Sequence, residues 1–305
     1  MIDVILTSYN EPKATCKALE SILEQSARKD LQVIVVDPFP ETEVFLKSQI
    51  KDARWSFFLD PGEGKGFALN MLFQERASSN PHDIFIMTDG DVFLDKGAIE
   101  AIITAFKDKR VGCVAGHSAP LESRETMYGY WAHLFMEGID RVREGFSKRK
   151  VFFECSGYLF AIRKGILLDF PTETSEDSVI PYLIWKKGHQ IAYAQRALVY
   201  VKNPENWADW IAQKVRNIKA HERLKEIAPD MPRTKSFLNE VKLGTLFALK
   251  YPKTVRELWW TLCSFGARLY IYKKAFSEMK KGKKYTDGWR GEALTHSTNP
   301  LSEHS

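Results

Sequence analysis

A chain of 305 residues with 44% hydrophobic and 27% charged residues has room for one large α/β domain or two modest ones, which excludes a wholly disordered or fibrous protein. The net charge of +5 conceals an asymmetry: Lys214 to Arg290 hold 19 basic against 7 acidic residues, so the rest of the chain is acidic. Cys16, Cys113, Cys155 and Cys263 are scattered without a CxxC pair, which excludes a zinc knuckle or a disulfide framework and suits a reducing compartment.

The N-terminal segment MIDVILTSYNEP has no basic stretch and turns polar after Leu6, so it reads as a first strand and not a signal peptide. A turn at Ser8 to Pro12 leads into a helix from Pro12 to Gln25, with apolar residues at helical spacing. Leu31 to Val36 is an uninterrupted β-branched run, as in a strand buried on both faces, and Asp37-Pro38 ends it. A helix at Glu41 to Ile50, a strand at Trp55 to Leu59, a glycine-rich loop feeding a helix at Gly64 to Arg76, and a strand at Ile84 to Thr88 follow. Ala98 to Phe106 is helical and Val111 to Ala115 extended. This alternation predicts a mostly parallel sheet flanked by helices, in which ligands bind at the carboxyl ends of the strands. Beyond residue 117 the pattern breaks. It gives an aromatic-rich helix at Met127 to Arg143, and two extended pieces hinged at Ser156-Gly157 between Phe152 and Ile162. A helix from Val179 to Lys187 is closed by Gly188. Short strands at Ile191 to Tyr193 and Ala197 to Val201 and a long helix from Trp207 to Lys225 come next. Two or three amphipathic helices over Ser236 to Phe276 and a polar, disordered tail over the last fifteen residues complete the chain. No run approaches the ~18 apolar residues that span a bilayer.

Four groups of residues could carry chemistry. Asp89 and Asp91, one residue apart after a buried strand, can share a hard divalent cation, and Gly90 lets the backbone turn between them; the bland alternative is a turn cap and a solvated carboxylate. Gly64-Lys65-Gly66 before a helix offers backbone N–H groups and a positive charge to an anion, although it lacks the ending of a P-loop. Ser175-Glu176-Asp177 opens a helix, where acidic residues often serve only as caps, yet one carboxylate is left to act as a general base. Gln213 and Arg216 share a helix face, and arginine is the usual partner of phosphate.

Taken together, Thr7-Ser8-Tyr9-Asn10-Glu11, Val35-Val36-Asp37, Gly64-Lys65-Gly66-x-Ala68-Leu69-Asn70, Asp89-Gly90-Asp91, Glu176-Asp177 and Gln213-x-x-Arg216 resemble, in order and spacing, the family 2 glycosyltransferases with the GT-A fold. The likeness is nearest to the cellulose, chitin and hyaluronan synthase-like branch. It covers residues 1–225, expected as the catalytic domain; 226–290 are expected as a basic, aromatic-rich helical region and 291–305 as a tail. The resemblance implies a metal-dependent, inverting transfer from a nucleoside-diphosphate sugar, with a UDP-sugar favoured, to an acceptor hydroxyl on a sugar or a lipid-linked molecule. Thr7, Tyr9, Glu11 and Asp37 would hold the nucleoside, Lys65 would line the donor cleft, and Asp89 would lie beside the sugar or ribose. Asp91 would ligate Mn2+ or Mg2+, Asp177 would be the catalytic base, and Gln213 and Arg216 would sit near the diphosphate or the acceptor. Ser156-Gly157 would form part of the acceptor wall.

Three departures stand out. Pro38 follows Asp37 where the family commonly has a second acid, Asn217 replaces the tryptophan of the processive synthases after Arg216, and no transmembrane helices follow. The last two favour transfer of one or a few sugars. The lysines and aromatics of 236–290 suit a helix in a membrane interface, with packing on protein as the alternative, so the expected location is cytoplasmic with peripheral contact at the membrane's inner face. Nucleic-acid binding is not expected, for want of a recognised module. A non-catalytic binding protein on the same scaffold and a sugar nucleotidyltransferase are the rival readings; a Rossmann dehydrogenase is disfavoured because no G-x-G-x-x-G follows the first strand.

Overall fold

The computed structural model describes residues 1–25, 28–172, 174–232, 237–281 and 300, with backbone alone for 237–243. The alternating first third forms β1 (Ile2–Thr7), α1 (Pro12–Leu23), β2 (Leu31–Asp37), α2 (Pro40–Gln49), β3 (Trp55–Leu59), α3 (Lys65–Glu75) and β4 (Ile84–Asp89). Strand β1 pairs in parallel with both β2 and β4, and β2 with β3. Successive side chains of these strands enter different layers: Val4, Leu6, Val33 and Val35 join one cluster, while Ile5, Ile34 and Val36 join another across the sheet. That two-sided burial is why the strands read as apolar runs without alternation.

The remaining elements are β5 (Val92–Leu94), α4 (Ala98–Ala105), β6 (Val111–Pro120), α5 (Met127–Arg149), β7 (Leu159–Arg163), α6 (Glu176–Lys186), β8 (Gln190–Val201), α7 (Trp207–Ile227), α8 (Phe237–Lys250) and α9 (Val255–Lys280). The eight strands run in the order β3-β2-β1-β4-β7-β6-β8-β5. Helices α1, α2 and α4 cover one face; α3 and α6 cover the other.

Here the sequence-based expectation needs correction in four places. β7 is inserted antiparallel between β4 and β6, so the second half of the sheet is mixed. Only Leu159–Arg163 of the expected extended pair forms a strand; Val151 to Ser156 has no regular structure. The two short strands after residue 190 are one, β8, because a register shift against β6 between Ala115 and His117 absorbs the residues separating them. β5 had no distinctive signal: three residues following a turn are too few for periodicity.

α5, α7 and α9 build a third cluster around Tyr130, Trp131, Trp210 and Ile271. The inner face of α9 carries the buried Glu257, Thr261, Ser264, Ala267, Ile271 and Ala275 at three- and four-residue spacing. Tyr130 and Thr261 share a hydroxyl–hydroxyl bond of 2.6 Å, and the Trp131 indole donates to the Trp260 carbonyl at 2.7 Å. The basic C-terminal segment is thus packed on the sheet domain along one side of α9. No helix among the described residues is long and apolar enough to cross a membrane. The tail expected at 291–305 lies outside the described residues, apart from Pro300.

Candidate active site

The carboxyl ends of β1, β2 and β4 lie side by side, because Thr7 is in register with Val36 on one side and Asp89 on the other. The Thr7 hydroxyl accordingly donates to Asp89 Oδ1 at 2.9 Å. The loop after β1 is tied to β2 through Asp37. Its two carboxylate oxygens accept the backbone N–H groups of Phe39 at 2.8 Å and Asn10 at 3.0 Å, and Asn10 takes a left-handed conformation, φ 53°, to present that donor. Burial pushes the Asp37 carboxyl above its ordinary value, against the opposing effect of hydrogen bonds from Phe39, Ser8, Asn10 and Thr42. Tyr9 stands half-exposed above this loop, edge-on to Phe39 with ring centroids 5.2 Å apart.

Gly64, with φ 102°, breaks the chain direction before α3 and delivers Lys65 into the cleft. The Lys65 ammonium lies 2.7 Å from Asp89 Oδ1 and 2.8 Å from Glu176 Oε1, joining the end of β4 to the start of α6. Burial opposes its charge, but the two carboxylates outweigh burial and hold its pKa above the usual lysine value. Gly90 is required by close packing: a Cβ there would sit 2.9 Å from Thr15 Oγ1 and 3.1 Å from Ser8 Cβ.

Asp177 owes its position to a proline. Pro181 lies within α6 and has no N–H for the carbonyl four residues earlier. That carbonyl, of Asp177, instead accepts the Cys155 N–H at 2.9 Å, which fixes the irregular strand-like segment beside the helix start. The Asp177 carboxylate then accepts the Gly157 N–H at 3.1 Å through Oδ2 and the Ser175 hydroxyl through Oδ1. The Ser156-Gly157 turn and Asp177 are therefore one unit. The helix itself starts at Glu176, earlier than the expected Val179, because both acidic residues suit the first turn.

A cleft of about 1540 Å³ runs across these ends. Thr7, Tyr9, Lys65, Asp89, Asp177, Gln213 and Arg216 line it, as do Ser156, Gly157 and Asn217. Glu11, Asp37 and Asp91 do not form its wall; all three are buried, Glu11 and Asp37 behind the β1 loop and Asp91 after the β4 turn. Tyr158 is a cleft residue that sequence reading passed over, since a tyrosine after a Ser-Gly turn carries no signal. Its phenol is raised in pKa by burial first and then by the negative charges of Asp91, Asp89 and Asp177, with Arg216 acting the other way. Those four side chains, from the β4 turn, α6 and α7, thus converge on one ring. His221, also unnoticed, lies 3.3 Å from the buried Glu154 on the cleft wall.

Among the described residues no group of three or more His, Cys, Asp or Glu makes a metal cage. A site of one or two carboxylates near a diphosphate is nevertheless what Mg2+ or Mn2+ takes, completing its oxygen shell from phosphate and water. Asp89 on the cleft wall, with Asp91 buried behind it two residues further along the chain, offers a carboxylate pair that fits that chemistry.

The sequence profile described as "Glycosyltransferase like family 2" matches residues 2–220. Over 236 residues, 70% of the chain, it is 23% identical to a protein of Bacillus subtilis named "Probable glycosyltransferase YdaM" and equally to an "N-acetylglucosaminyltransferase" of Azorhizobium caulinodans. These matches span only 54% and 58% of those relatives' lengths. A solved structure, "Mannosyltransferase PcManGT from Pyrobaculum calidifontis in complex with GDP-Man and Mn2+", superposes with a TM-score of 0.58 at 18% identity, covering 92% of this chain and 81% of that one. It shares the GT-A fold.

Proposed function

The chain belongs to glycosyltransferase family 2, and from that premise we propose that it transfers a sugar from a nucleoside-diphosphate sugar to an acceptor hydroxyl with inversion at the anomeric carbon. One observation carries this reading: Lys65, Asp89, Asp177 and Arg216, drawn from α3, β4, α6 and α7, line a single cleft at the carboxyl ends of the strands. In the proposed reaction Thr7, Tyr9, Glu11 and Asp37 shape the nucleoside pocket, the last two from behind. Lys65 and Arg216 face the diphosphate, and Gln213 supports it from the same helix turn as Arg216. Asp91 with Asp89 would hold Mn2+ or Mg2+, and such an ion neutralises charge building on a departing diphosphate. Asp177 takes the acceptor proton as the new bond forms on the opposite side of the anomeric carbon. The hydrogen bonds that it accepts from the Gly157 N–H and the Ser175 hydroxyl keep the carboxylate oriented for that step.

The sequence favours a UDP-sugar, whereas the superposed mannosyltransferase holds GDP-Man, so both nucleotides belong in the test. Asn217, where the processive synthases carry tryptophan, lines the cleft and supports transfer of one or a few sugars. The test is nucleoside-diphosphate release from a panel of UDP- and GDP-sugars with and without Mn2+, for wild type, Asp91→Ala and Asp177→Asn. One donor should be hydrolysed slowly, with loss on chelation and in Asp91→Ala. Asp177→Asn should lower acceptor-dependent turnover by roughly 10²–10⁴-fold while leaving donor binding. Metal-independent release of pyrophosphate would instead mark a nucleotidyltransferase, and silence across the panel with no nucleotide-induced shift in Tm would mark a binding protein.

A further inference from the structure

The cleft does not end at the catalytic carboxylate. The same cavity continues between α5, α7, α8 and α9, where its walls are Phe135, Trp210, Phe247, Phe265, Leu269 and Tyr272. On α5, α8 and α9 most of the lining is apolar, with Thr245, Ser264 and Arg268 among the polar exceptions, whereas α7 contributes most of the polar wall. The Arg268 guanidinium lies over the Phe135 and Tyr272 rings at 5.7 and 5.3 Å. The Ser264 hydroxyl on its wall is already committed, donating to the Thr261 carbonyl at 2.7 Å. A glycan acceptor would need a dense set of hydrogen-bonding partners along its length, and a hydrocarbon chain needs none. The limb also opens at an apolar rim. Leu269 and Phe276 line it and are at the same time 57% and 43% exposed at the surface of α9.

We infer that the acceptor is an amphiphile, its hydrocarbon chain lying in the limb between α5 and α9 and its hydroxyl-bearing head at Asp177. The inference rests on the glycosyltransferase reading and adds the acceptor class to it. The head-group oxygen bonds to the anomeric carbon and gives its proton to Asp177; the bond from that carbon to the diphosphate breaks, and the electron pair leaves with the nucleoside diphosphate. Lys214 and Arg268, also on the cavity wall, add positive charge beside the acceptor, which suits a sugar head or a singly protonated phosphate head, the form that still has a proton to give Asp177.

Gly138 offers a way to close the limb. A Cβ there would already crowd the Phe247 ring at 3.2 Å, so a larger side chain at this cavity-lining position pushes into the limb and against that ring. The experiment measures sugar transfer from the identified donor to methyl, octyl and dodecyl glycosides, and separately to farnesyl phosphate, each below its micelle-forming concentration. Binding of the same compounds is read by calorimetry. KM and Kd should fall by roughly tenfold or more from methyl to octyl and further to dodecyl, as expected for burying methylenes. Gly138→Leu should weaken the dodecyl compound selectively, with donor hydrolysis by the same variant reporting whether its fold and donor site survive. A gain only in the glycoside arm or only in the farnesyl phosphate arm names the head group. Equal affinity for methyl and dodecyl compounds, in an enzyme that still hydrolyses its donor, overturns the inference. Absence of donor hydrolysis would count against the glycosyltransferase reading instead, and calorimetric binding would still decide whether the limb takes a chain.

Discussion

Gly90 and Asp37 show what single residues do in this cleft. Gly90 was legible as the hinge between two aspartates, but its real constraint is tertiary: a Cβ there would meet Thr15 of α1 and Ser8 of the loop after β1, whose hydroxyls lie 2.6 Å apart. Gly90→Ala must part that pair, an overpacking that costs about 1–3 kcal/mol. Urea unfolding should show the loss, together with weaker donor binding, since Ser8 lines the cleft; a change within about 0.5 kcal/mol would mean that the α1 contact yields freely. Asp37 could be noticed in the sequence as a polar stop to an apolar strand. Its task of holding two backbone N–H groups of separate loops could not, because one donor, Asn10, is 27 residues away. Lys65 followed the same course. The glycines beside it marked an anion-binding turn, yet its ties to Asp89 and Glu176 depend on the approach of β4 and α6.

At the scale of elements, charged contacts fasten α9 near both ends: Lys219 of α7 meets Glu278 at 2.7 Å, and Arg124 holds the start of the helix. Arg124, in the turn before α5, donates to Glu257 at 2.7 and 3.1 Å and to the Tyr251 carbonyl at 3.2 Å. The Arg124 hydrogen bonds bring the Glu257 carboxyl down from 4.5 to about 2, against the opposing effect of burial. A lowered carboxylate pKa contributes stability that is fully present above 4.5 and is lost as pH falls through about 2. Wild type should therefore exceed Glu257→Gln in Tm at neutral pH, and the gap should narrow between those two values. A gap that stays constant with pH would show that the charge of Glu257 does not secure the helix. Most helices and the parallel strands could be read from periodicity alone. β7 could not be given a direction, because an apolar run reads alike in either orientation. The link from Pro181 to Cys155 was also hidden, since the carbonyl released by proline finds its donor 22 residues earlier in the chain.

Among the described residues, α9 carries a conspicuously apolar surface. Val255, Leu258, Trp259, Leu262, Leu269 and Tyr270 are exposed along the outer side of α9, 41% at the least for Leu258, with Lys253, Arg256, Lys273 and Lys280 exposed beside them. The packing alternative holds for the inner face of α9, which lies on α5 and α7, while the outer face is exposed. We propose that the outer face rests on an anionic membrane surface. Sedimentation with vesicles of phosphatidylcholine and phosphatidylglycerol should exceed that with phosphatidylcholine alone. The double variant Trp259→Ser, Leu262→Ser should reduce it at least several-fold, and equal sedimentation would remove the membrane from the account. Lys280 and Lys281, at the end of α9, are among the described residues, and Lys283 and Lys284 lie outside them.

The sequence alone determined the layered α/β class, the boundaries of the first seven elements to within a few residues, and the identity of the polar residues at strand ends. Those features are local: burial on both faces writes an apolar run, a helix writes its period, and a strand end must turn polar where it meets solvent. Tertiary packing brings the free thiols of Cys113 and Cys155, 42 residues apart in the chain, to a sulfur–sulfur distance of 3.5 Å. Tertiary structure decided which of the polar residues share a wall. Asp91 and Asp37 are set behind the cleft, Lys65 is drawn between two carboxylates, and Tyr158 and His221 enter from turns with no motif. It also joined the cleft at the strand ends to the largely apolar space between α5, α8 and α9. Residues from 135 and 269 meet only when helices far apart in the chain pack together, and no local pattern encodes such a meeting.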